Sequence, residues 1–68
     1  MQNRIKELRE QASLTQEQLA ERLHVSRQTI ISLERGRYNP SILLAGKIAR
    51  AFGLSIESVF IFDEEETA

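Results

Sequence analysis

These 68 residues predict an all-α fold of five short helices, and three observations carry that reading. Apolar residues recur at helical spacing, as at Leu19, Ala20 and Leu23, and again at Ala45, Ile48, Ala49 and Phe52. Hydroxyl residues stand where helices would begin, at Thr15, Ser26, Ser41 and Ser55, while Gly36 and Gly53 stand where helices would stop. Long runs of alternating β-branched residues are missing, so a sheet protein is not expected.

Taken in order, the first helix is expected from about Asn3, as its cap, to about Ala12, with Ile5, Leu8 and Ala12 as its inward stripe and Arg4, Lys6, Glu7 and Glu10 facing water. Ser13 sits at the end of that helix, a position better suited to Gly or Asn. Leu14 precedes the next cap and is placed for a hydrophobic staple. Thr15 with Gln18 has capping-box form and opens a second helix that buries Leu19, Ala20 and Leu23. The turn to the third helix is only two residues before its Ser26 cap. A turn this short requires a residue of positive φ, for which His24 is the candidate, and Val25 then inserts into the core. The third helix buries Ile30 and Leu33 and ends at Gly36 as a left-handed cap. Pro40 excludes helix before it, and Ser41 restarts one that buries Ile42, Ala45, Ile48, Ala49 and Phe52 and ends at Gly53. Gly46 weakens its middle unless close packing needs a small residue there. Leu54 is assigned to the core, and Ser55 caps a last short helix through about Phe60.

Length and composition bound the rest. The chain reads as one domain over residues 1–62, followed by an acidic flexible tail at 63–68. Without cysteine or a cluster of metal ligands, a core this small relies on helix packing or self-association. No segment approaches the roughly 18 apolar residues of a membrane span, and the N-terminus lacks an apolar signal region, so a cytoplasmic protein is expected. No cofactor or small-molecule ligand is implied.

A net charge of −1 argues by itself against a nucleic-acid partner, but its distribution reverses that impression. All nine Lys and Arg lie in residues 1–50, against five Glu there, whereas residues 51–68 carry five acids and no base. Such asymmetry is the electrostatic footprint of a basic binding face. The outward face of the third helix carries Arg27, Gln28, Ile31, Ser32 and Arg35, and Arg, Gln and Ser are suited to reading base edges. An enzyme is not expected: His24 is the only histidine and no carboxylate pair, cysteine or glycine-rich phosphate loop accompanies it.

The segments RIKELRE, LTQEQLAERL, VSRQTI, LERGRYNPS and KIARAFGLS, in this order, resemble the Cro and phage-repressor (XRE-type) family of helix-turn-helix DNA-binding domains. The resemblance covers about residues 3–60, with the helix-turn-helix at about 15–36. It departs from the family at His24 and Ser13, where glycine is usual. It implies a lambda-repressor-like five-helix domain with a short apolar C-terminal extension, similar to compact single-domain bacterial or archaeal regulators. By the family's pattern, Arg27 and Gln28 lead the reading of bases in double-stranded DNA, with Thr29 and Ser32 behind them. Thr15, Gln16, Arg35, Arg37, Tyr38 and Asn39 are the expected phosphate contacts; for Tyr38 a loop aromatic covering the core is the competing assignment. The family also places an arginine of the first helix against a carboxylate near the end of the third, which here implies an ion pair of Arg9 with Glu34.

One such helix contacts few base pairs, so related proteins pair two copies about one turn of DNA apart on a near-palindromic operator. The apolar run Val59–Phe62 exceeds what so small a bundle is expected to absorb, which makes Val59, Ile61 and Phe62 the expected homodimer surface. Two alternatives stay open: Ile61 and Phe62 fold back on their own domain, or the same patch serves an antitoxin-like or co-regulator module that mainly binds another protein. The leading expectation is a sequence-specific transcriptional regulator, acting as a repressor by occupying its operator.

Overall fold

The computed structural model describes residues 1–62; the acidic run expected to form a tail, 63–68, lies outside them. Among the described residues there are five helices, α1 (Ile5–Gln11), α2 (Gln16–Leu23), α3 (Arg27–Glu34), α4 (Ile42–Ala51) and α5 (Ile56–Val59). Two short strands, β1 (Gln2–Asn3) and β2 (Phe60–Ile61), join the ends of this bundle. Among the described residues no helix is long and apolar enough to cross a membrane.

One scheme begins four of the helices. Thr15, Ser26, Ser41 and Ser55 hold extended backbone, and each hydroxyl accepts the amide three residues on, from Gln18, Thr29, Leu44 and Ser58 respectively. At Thr15 the Gln18 side chain also accepts the Thr15 N–H at 2.9 Å, completing the capping box. A second scheme ends α1 to α4. Ser13, His24, Gly36 and Gly53 all take positive φ, between 57° and 72°. Around each, two backbone amides turn back onto the last carbonyls, as when Leu14 N–H bonds Arg9 O and Val25 N–H bonds Ala20 O, both at 3.0 Å.

The core gathers Ile5, Leu8, Leu19, Ala20, Leu23, Ile30, Leu33, Ala45, Ile48, Ala49, Val59 and Phe60, with Leu14, Val25 and Phe52 packed at its edge. Several expectations need correction. Asn3 lies in β1, opposite Phe60, and α1 begins two residues later, although the Asn3 Oδ1 still accepts the Ile5 N–H at 3.0 Å. Ala12 is exposed because α1 has already turned out of helix there. Ile42 is 77% exposed, since the first turn of α4 overhangs the edge of the core. Leu54 is exposed too, because its place is in the turn that ends α4, where its N–H bonds Ala49 O.

The C-terminal run departs most. Val59 and Phe60 are 0% and 1% exposed, so half of the apolar run assigned to a pairing surface fills this chain's own core. Phe60 then enters β2 rather than helix. The antiparallel register sets Gln2 against Ile61 and Asn3 against Phe60, and Arg4 N–H adds a bond to Val59 O at 2.8 Å. Pairing satisfies backbone groups that burial of Val59 and Phe60 would otherwise strand.

Candidate nucleic-acid interface

The second scheme of helix ends sets the geometry of this face. His24 takes φ 58° and ψ 43°, a left-handed conformation that reverses the chain within a single residue. Val25 then packs against the core and Ser26 caps α3, so α3 starts immediately, with Arg27 and Gln28 exposed on its first turn. Thr29 and Ser32 lie behind them, half-buried. The Thr29 hydroxyl is already engaged, 3.0 Å from that of Ser26, so its local bond competes with any contact to a base.

Flanking α3 are Arg35 at its C-terminal end and Arg37, Tyr38 and Asn39 in the following loop, all exposed. Tyr38 is 41% exposed and does not cover the core. Thr15 and Gln16 sit at the N-terminus of α2, where backbone N–H groups and the positive end of the helix dipole favour an anion. An open polar groove runs between these elements, lined by Arg9, Thr15, Gln16 and Arg27, and it continues past Lys6, Ile31 and Arg35.

Beneath the groove Arg9 and Glu34 meet. The Arg9 Nε donates to Glu34 Oε2 at 2.6 Å and its Nη2 to Oε1 at 3.4 Å, with side chains 11% and 7% exposed. The third nitrogen, Nη1, donates to Leu14 O at 2.8 Å, which ties the pair to the turn before α2. Hydrogen bonding to Glu34 holds the arginine above its ordinary pKa, against the opposing effect of burial. The arginine therefore keeps its charge at every ordinary pH, and its own titration breaks the pair only in strong alkali.

Sequence reasoning missed two side chains of this face. Lys6, assigned to solvent, lines the groove with Arg27 and Arg35. Its spacing of three residues from Arg9 was the available signal, since both then lie on one side of α1. Asn3 was assigned a capping role only, yet its Nδ2 donates to Leu33 O at 2.7 Å and so secures the C-terminal end of α3 from thirty residues away. No local pattern announces such a bond. Lys47, exposed on α4, donates from its Nζ to Leu23 O at 3.4 Å, at the negative end of α2.

The helix-turn-helix family pattern matches residues 5–59. Over 66 residues the chain is 59% identical to an HTH-type transcriptional regulator of Archaeoglobus fulgidus, covering 97% of this chain and 93% of that one. It is 41% identical over 56 residues to the immunity repressor protein of Bacillus phage phi105, covering 82% of this chain and 39% of the repressor. Among solved structures, the clp gene regulator ClgR of Corynebacterium glutamicum superposes with a TM-score of 0.70 at 33% identity, over 76% of this chain and 55% of ClgR.

Proposed function

The chain belongs to the helix-turn-helix family of DNA-binding transcriptional regulators, and on that premise we propose that it represses transcription by occupying a near-palindromic operator as a homodimer. The observation that carries this reading is the first turn of α3, which exposes Arg27 and Gln28 on a helix braced at its other end by Arg9 and Glu34. A helix of this kind fits the major groove, where Arg27 grips guanine O6 and N7 and Gln28 pairs with adenine N6 and N7. Ser32 reaches the next bases. Thr15, Gln16, Arg35, Arg37, Tyr38 and Asn39 hold the phosphates on either side, joined by Lys6, and set the register of the helix on the duplex. The likeness to a phage immunity repressor supports repression, which needs no enzymatic step.

Pairing rests on Ile61 and Phe62, 48% and 44% exposed, of which Phe62 lies beside the overhanging Ile42. Phe62 and Ile42 line one apolar groove with Pro40 and Ile56. Val59 takes no part, because it is enclosed in the core.

Selection of bound sequences from random duplex DNA tests the whole reading. The expected product is a site with two related half-sites about 34 Å apart, whose binding weakens with salt at a log-log slope of about −0.9 per phosphate contacted. Recovery of no preferred sequence at moderate salt overturns it.

A further inference from the structure

The network beneath the groove does not stop at the ion pair. The Gln16 Nε2 donates to Glu34 Oε1 at 3.1 Å, so one carboxylate at the end of α3 serves both Arg9 of α1 and the first residue of α2. Resting on the reading that Gln16 contacts a phosphate, we propose that Glu34 is a positioning residue for DNA binding, which holds the Gln16 amide ready for the DNA backbone. Two physical consequences carry this. A carboxylate accepts hydrogen bonds and cannot donate them, so it turns the nitrogen of the amide, not its oxygen, toward the groove wall. The second N–H on that nitrogen has no partner among the described residues and meets a phosphate as a donor, the only role that an acceptor-only phosphate oxygen allows.

The second consequence is entropic. Glutamine is among the side chains that lose most rotamer freedom when ordered, and fixing it before DNA arrives removes that loss from the binding step. The Glu34 side chain is itself enclosed, 7% exposed and held by two Arg9 nitrogens. The brace between α1 and α3 and the phosphate contact at α2 are thus one unit.

A double-mutant cycle of Gln16→Ala and Glu34→Gln tests this, with affinity for the selected operator as the readout and thermal melting of each variant alongside. In the parent protein Gln16→Ala lowers affinity by about tenfold, the scale of one hydrogen bond to a charged group. In the Glu34→Gln background the same substitution costs less than about twofold, because the amide there is no longer aimed. Equal losses in both backgrounds overturn the proposal and leave Glu34 a brace alone. Should Glu34→Gln not fold, Glu34→Asp replaces it in the cycle, keeping the charge near Arg9 while withdrawing the carboxylate from Gln16. If the parent protein prefers no sequence at all, the functional reading fails and this inference falls with it; specific binding with an additive cycle removes the inference only.

Discussion

Ser13 and His24 hold left-handed backbone without being glycine, and each does so where a helix must stop within one residue. The side chain of His24 is exposed, so little packing offsets the strain. His24→Gly is expected to raise stability by about 0.5 to 1 kcal/mol, the relieved strain less the extra freedom glycine gives the unfolded chain, as measured by urea denaturation. Arg9 presents the opposite case. With both partners nearly enclosed, Arg9→Ala strands the Glu34 charge and is expected to lower stability by about 3 to 5 kcal/mol. A loss under half a kcal/mol would show that water reaches the carboxylate and that the brace carries no energy. The sequence pointed to both residues, His24 through the length of the turn and Arg9 through family likeness. It was silent on the bond from Asn3 to Leu33 O, which has no trace in neighbouring residues.

The helices were the most legible layer, since α2 to α5 are started by a hydroxyl cap and α1 to α4 stopped by a left-handed residue, each within a few positions of the bonds it makes. Their outer turns were less so. Ile42 keeps the spacing of Ala45, Ile48 and Ala49 but stands beyond the end of the core, and periodicity carries no information on how far a neighbour extends. Gly46 is resolved by the structure: a Cβ there would meet nothing within 4 Å. Gly46→Ala is therefore expected to stabilise α4 by about 1 kcal/mol, seen as a higher thermal midpoint with unchanged operator affinity. On α3, Arg27→Ala should reduce discrimination between the operator and its variants at one base pair by about 1 to 3 kcal/mol while the protein's melting temperature stays near that of the parent. Uniform weakening on every sequence would assign Arg27 to the phosphates instead.

At the scale of the whole molecule, the strands β1 and β2 close the bundle by joining its two ends, and they draw Val59 and Phe60 inward while leaving Ile61 and Phe62 outside. If that remainder pairs two copies, Phe62→Glu yields a monomer in sedimentation and weakens operator binding at least tenfold, while binding to a single half-site changes little. A variant that stays dimeric moves the interface elsewhere. The sequence alone determined where α2, α3 and α4 begin and end, which residues of α2 and α3 are buried, and which face of α3 is polar, because caps and helical periodicity act over four residues or fewer. Only the tertiary structure decided that Glu34 serves Arg9 and Gln16 together, that Asn3 secures α3, and that the apolar C-terminal run divides between core and surface. Those outcomes depend on groups 18 to 59 residues apart, whose meeting is settled by which surfaces pack and which buried polar groups need partners.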